Sequence, residues 1–134
     1  MNKKDELGGE RVKPFKRDES FRYTFKDPYP GKFQLMIQKE NEIVSSKEGH
    51  LYVLDLSPKG MKFKTEFNLP VDRFDIDMEI HLKMNGHELA VAGHPIWRRP
   101  SGTGFMYGFQ SIEDSETEQE IIDSLKSFTK TFFI

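Results

Sequence analysis

Residues 75–93, "DIDMEIHLKMNGHELAVAG", decide how the rest of the chain is read. Ile76, Met78, Ile80, Leu82 and Met84 fall on every second position, with Asp77, Glu79, His81 and Lys83 between them. A period of two puts the apolar set on one face of a β-strand and the polar set on the other. Asn85-Gly86 then breaks the alternation, and "HELAVAG" resumes it. A two-residue type I′ turn needs positive φ at both central positions, which Asn-Gly tolerates best, so the stretch predicts a β-hairpin with one wet face.

Outward from this hairpin the same pattern recurs. Phe33, Leu35 and Ile37 alternate with polar residues, as do Met61 and Phe63. From about Phe15 to Gln110 the segments "FRYTF", "KFQLMIQ", "LYVLDL", "GMKFKT" and "GFMYGFQ" are short and separated by turn signals. Beyond Gln110 the period changes. Ser115 with Glu118 forms a capping-box signature, and Ile121, Ile122, Leu125, Phe128 and Phe132 share one helical face. The expected fold is mostly β: a small antiparallel barrel of six to seven strands, since closure removes exposed edges. One C-terminal α-helix covers an open end or an outer face. Residues 1–14 carry charges, Gly8-Gly9 and only Leu7 and Val12 as large apolar side chains, so they read as a flexible N-terminal arm. Residues 15–134 read as a single domain.

The chain has 134 residues, and its 20 Lys plus Arg nearly cancel 22 Asp plus Glu. No field of one sign favours DNA, RNA or an anionic membrane, so any anion site is local. The absence of cysteine removes disulfides and thiolate catalysis. The charged start "MNKKDELGGE" is unlike a signal peptide, and no apolar run approaches the roughly 20 residues of a membrane span. The expectation is a cytoplasmic protein without membrane insertion.

Enzymatic signatures are missing. His50, His81, His87 and His94 lack zinc-site spacing. Ser57 has no nucleophile elbow around it, and "SGTG" at 101–104 reads as a flexible hairpin tip. Asp75, Asp77 and Glu79 belong to the wet face of their strand. With no nucleophile, base and orienting group in view, no catalytic activity is expected.

Two features remain. The first is "RVKPFKRDESFR", where Lys13, Lys16, Arg17 and Arg22 lie before and at the first strand. Taken alone it reads as a solvated linker. The second is "LYVLDLSPKGMKFKT", residues 51–65, which places Asp55 on an apolar strand just before a turn. Asp and Ser are favoured turn residues and Gly60 supplies positive φ, so ordinary turn chemistry is one reading. A ligand held at the turn is the other.

Together the two features resemble the PilZ domain, a bacterial receptor family for cyclic di-GMP. Its [D/N]-x-S-x-x-G motif is complete in "DLSPKG" as Asp55, Ser57 and Gly60. Its R-x-x-x-R motif matches Arg22, whereas Asp18 stands where an arginine is usual and Arg17 lies one position earlier. "VAGHPIWRR" and "YGFQ" resemble later strands of the family, and the resemblance spans about residues 15–130.

The resemblance implies a signalling receptor with cyclic di-GMP as its ligand and no further cofactor. Arg22 and Arg17 would offer guanidinium forks to guanine or phosphate oxygens, with Lys16 as a further cation. Asp55 would accept from the N1 and N2 donors of guanine, Ser57 would add a hydroxyl contact, and Gly60 would let the backbone pass close to the base. Arg98 would add a late-strand cation. Trp97 beside it reads first as barrel core, and otherwise as a stacking surface. Binding would change the conformation of the arm and pass the signal to a protein partner, motility and exopolysaccharide machinery being family-typical settings. The alternatives are a PilZ-fold interaction module that does not bind the nucleotide, and an oligonucleotide-binding barrel.

A carboxylate about 4 Å from a phosphate costs roughly 1 to 4 kcal/mol, depending on the local dielectric. Asp18→Arg is therefore expected to tighten cyclic di-GMP binding when wild type and variant are compared by calorimetry. An unchanged or weaker affinity would remove position 18 from the site.

Overall fold

The computed structural model describes residues 22–73 and 75–132, with side chains as far as residue 130. The expected arm and the residues from Phe15 to Phe21 lie outside the described residues. The elements are β1 (Tyr23–Lys39), β2 (Glu42–Ser45), β3 (Gly49–Ser57), β4 (Gly60–Thr65), β5 (Ile76–Met84), β6 (His87–Ser101), β7 (Gly104–Ser111) and one helix, α1 (Ser115–Phe132). Neighbouring strands are antiparallel in the order β2-β1-β3-β4-β7-β6-β5. A further ladder from Lys32↔His81 to Ile37↔Ile76 joins β1 to β5, so the sheet closes into a barrel from which the β1–β2 hairpin extends.

The alternation read in β5 is the alternation observed. Ile76, Met78, Ile80, Leu82 and Met84 are all buried, together with Leu51, Val53, Phe63 and Val91 from other strands. Asn85 and Gly86 take φ of 52° and 82°, as a type I′ turn requires. Side chains of this set fill the lumen, as they do in barrels of this strand number.

Three local features depart from the sequence reading. "FRYTF" and "KFQLMIQ" are not separate strands, because β1 runs through Pro28 and Pro30 with a register shift between Thr24 and Tyr29. Proline, which has no N–H to give to the ladder, sits at such irregularities. In the same way β6 continues through Pro95 to Ser101, with a shift between Pro95 and Trp97. The exposed segment Glu42–Ser45 forms β2 because Glu40, at φ 48°, turns the chain back onto β1.

The helix begins with a different cap from the one expected. Asp114, not Ser115, holds the first turn: its Oδ1 accepts from the Glu116 N–H at 3.3 Å and its Oδ2 from the Thr117 hydroxyl at 2.7 Å. Glu118 reaches Lys59 Nζ at 3.2 Å instead, tying the helix to the β3–β4 turn. Ile121 and Leu125 are fully buried. Phe128 meets Tyr23, Phe25 and Tyr29 edge-on, with centroids 5.9, 5.7 and 5.5 Å away, and Asn85 Nδ2 donates to Ser127 Oγ at 2.9 Å. These contacts set the C-terminal half of α1 against the start of β1 and the β5–β6 turn, covering one end of the barrel.

Tyr107 organises the other loop region. Its fully buried ring stacks on Phe63 at 5.1 Å, its hydroxyl donates to the Phe67 carbonyl at 2.7 Å, and it accepts from the Leu69 N–H at 2.6 Å. Burial raises the phenol above its ordinary value of 10.0. Above about pH 10 the unfolded chain therefore holds fewer protons than the folded one, and stability falls as pH rises. Tyr107→Phe is expected to cost about 1–3 kcal/mol at neutral pH, because the Leu69 N–H loses its acceptor. It is also expected to flatten the alkaline decline. Urea unfolding at neutral and alkaline pH checks both, and equal stability of the two proteins at neutral pH would contradict the anchoring role.

Candidate ligand site

The site is built on a bulge. Val53 pairs with Phe63 but Asp55 pairs with Lys62, so Leu54 is an extra residue in β3. The shift makes Asp55 and Lys62 cross-strand partners. Arg22 lies two residues before Thr24, the β1 partner of Asp55, and reaches the carboxylate from the other side. Its Nη1 donates to Asp55 Oδ1 at 2.5 Å. The Lys62 N–H donates to the same oxygen at 3.0 Å, and Lys62 Nζ lies 3.5 Å from Oδ2.

Exposure divides the labour among these groups. The Asp55 side chain is 5% exposed, whereas those of Arg22 and Lys62 are 45% and 46% exposed. The carboxylate is thus spent inward on its donors, while both cations keep donors facing water. One negative charge against two positive ones leaves the cluster net positive, and such a cluster attracts an anion.

The cluster borders a cleft of about 260 Å³, also lined by Met61, Ile96, Trp97, Gly108 and Phe109. That is smaller than the roughly 300–1,000 Å³ of pockets that enclose a whole small molecule. It suits one ring of a larger ligand. Trp97 is half-buried and opposite Gly108, where any Cβ would lie 2.0 Å from the indole Nε1. The glycine lets the indole lie flat on β7, and the Arg99 guanidinium sits 5.0 Å from the ring centroid.

The residues expected at a site separate into those that meet here and those that do not. Arg22 and Asp55 meet. Ser57 and Gly60 are buried in the β3–β4 turn, where the Ser57 hydroxyl donates to the Gly60 carbonyl at 3.2 Å. Gly60 is needed for close approach and not for positive φ: a Cβ there would lie 2.2 Å from the Phe109 carbonyl oxygen. The Lys59 carbonyl accepts from the Ser111 N–H at 3.0 Å, so the turn is pinned to the end of β7. Both residues thus have a part in shaping the turn. Arg98 is turned to the loop after β4, donating to Asn68 Oδ1 at 2.8 Å and the Leu69 carbonyl at 3.1 Å, and it does not line the cleft. Arg17 and Lys16 lie outside the described residues, as does Asp18.

Trp97 and Lys62 are the corrections in the other direction. Trp97 reads as core by its size, but the bulge at Ile96 and the small Gly108 opposite turn it into the cleft. Lys62 carries no motif signature. The available signal was its place two residues after Gly60, on the outward face of a strand whose Met61 and Phe63 point inward.

Among the described residues no group of His, Asp and Glu is arranged to hold a metal ion, and no helix is long and apolar enough to cross a membrane. The architecture is a closed small barrel with one terminal helix and a cleft bordered by cations on its wall. The PilZ domain model matches residues 16–127, and the chain belongs to the PilZ domain family. The fold is similar to that of a solved structure described as the PilZ domain with c-di-GMP of YcgR from Escherichia coli. The TM-score is 0.52 at 14% identity, covering 84% of this chain and 94% of that one. No curated protein matches the sequence.

Because Trp97 is the only tryptophan, its fluorescence reports on the cleft. Gly108→Ala is expected to displace the indole and shift its emission to longer wavelength, with a stability loss of about 1–3 kcal/mol from overpacking. An unchanged emission maximum in a folded variant would contradict the stacking of Trp97 on β7.

Proposed function

We propose that this chain is a cyclic di-GMP receptor without catalytic activity of its own, which changes conformation on binding the nucleotide and signals to a protein partner. The observation that carries the reading is the Arg22–Asp55–Lys62 cluster beside the Trp97 cleft, in a chain of this family. Cyclic di-GMP presents two phosphates and two guanines. The half-exposed Arg22 guanidinium offers paired donors to a phosphate or to the O6 and N7 acceptors of guanine. Asp55 fixes the orientation of that fork, and a guanine that displaces one of its cations meets the carboxylate with its N1 and N2 donors. Trp97 supplies a ring face for a base. Arg17 and Lys16 are the further cations of this reading, and the chain before Arg22 is the segment whose position the nucleotide changes. Residues 15–134 act as one domain in it.

The test is a calorimetric titration of the purified protein with cyclic di-GMP. The expected result is micromolar or tighter binding, lost in Arg22→Ala and Asp55→Ala while circular dichroism shows both variants folded. No heat at about tens of micromolar ligand would overturn the reading. It would leave the alternative suggested by Asp18, a PilZ-fold module that works through protein contacts alone.

A further inference from the structure

The outward face of β4, β7 and β6 runs from the cleft's own Lys62 and Trp97 to side chains that neither the core nor the proposed nucleotide site uses. The first row across the strands is Lys62, Gly108 and Trp97, and the next is Lys64, Met106 and Arg99. Tyr52 of β3 stands opposite Lys64. Lys64 and Arg99 are exposed, and Tyr52 is 50% exposed although it is a large aromatic. Past this row lies an open groove of about 570 Å³ between Tyr52, Lys64, His50 and Glu66 on one side and the Ser101–Gly104 hairpin tip on the other. Past the cleft, two cations, Lys64 and Arg99, and the Tyr52 ring thus lie on one face of a chain whose net charge is −2.

The borders of this face limit what it can hold. Toward β5 the outward side chains are Asp77 and Glu79, and beyond β7 the chain runs into Glu113, Asp114 and the acidic first turn of α1, with Glu116 and Glu118. A long polyanion leaving the face runs toward these carboxylates and is repelled by them. A short anionic segment ends before it reaches them. From the Lys62 row through the Lys64 row to the groove beside Glu66 the face spans about 14 Å, the length of four or five residues of extended chain.

We propose that this face docks a short, extended, acidic segment of a partner protein. Its carboxylates meet Lys64 and Arg99, and an apolar side chain lies against Tyr52 and Met106. Lys64 and Tyr52 lie outside the Arg22–Asp55 cluster, so the docking face stands independently of the nucleotide reading.

Fluorescence anisotropy tests it with a labelled peptide of alternating Glu and Leu, about six residues long to cover the span. A Lys-Leu peptide and an oligothymidylate of equal length serve as comparisons. The Glu-Leu peptide is expected to bind, and to bind more weakly as salt rises. Lys64→Glu is expected to weaken it by about tenfold and Tyr52→Ala by about fivefold, both positions being exposed and tolerant of change. Absence of binding, binding unaffected by Lys64→Glu, or tighter binding of oligothymidylate than of the acidic peptide would each overturn the proposal. Both variants keep wild-type affinity for cyclic di-GMP, so failure of the docking face is distinguishable from failure of the nucleotide site.

Discussion

The β1–β5 ladder is the constraint on which the other features depend. Without the pairing from Lys32↔His81 to Ile37↔Ile76, the sheet has two open sides, and the alternation of β5 buries nothing. With it, every strand between has one face committed to the lumen and one to water. The function of the molecule is therefore written on the outward face, and the departures from regular pairing decide what that face presents. The bulge at Leu54 pairs Asp55 with Lys62, and the bulge at Ile96 aims Trp97 at Gly108.

The buried carboxylate of Asp55 links fold to chemistry. A carboxylate with so little exposure persists because it has partners, and here they are the Lys62 backbone N–H and two cations, Arg22 just before β1 and Lys62 on β4. The same arrangement orients Arg22 and Lys62 at the mouth of the cleft. The β3–β4 turn is itself anchored, since Lys59 bonds both Ser111 and, through its ammonium, Glu118 of α1.

Much of the fold was legible in the sequence because a strand with one wet face cannot hide its period: Ile76 through Met84 declared both the element and its inner side. Asn85-Gly86 was legible for an equally local reason, its two positive φ angles. What was not legible depended on residues far apart in sequence. β1 reads as two strands because Pro28 and Pro30 are local breakers, and only the long ladder to β5 makes it continuous. The motif residues Asp55, Ser57 and Gly60 were found, but not why a glycine is needed at 60: that requires knowing that Phe109 lies against Gly60. Trp97 was read first as core for the same reason: its place is set by Gly108 on the neighbouring strand. Lys62 went unread because its importance comes from the bulge that pairs it with Asp55.

The central claim is that the Arg22–Asp55–Lys62 cluster and the Trp97 cleft form one site for cyclic di-GMP. Nuclear magnetic resonance on isotope-labelled protein tests it most directly, because the single indole N–H, the Arg22 guanidinium and the Lys62 amide give separate signals. The account predicts that all three shift during a cyclic di-GMP titration and saturate together, with the Tyr52 and Lys64 amides moving less. Shifts centred on the groove between Tyr52 and the Ser101–Gly104 tip, with the Trp97 indole and Lys62 amide unmoved, would contradict it.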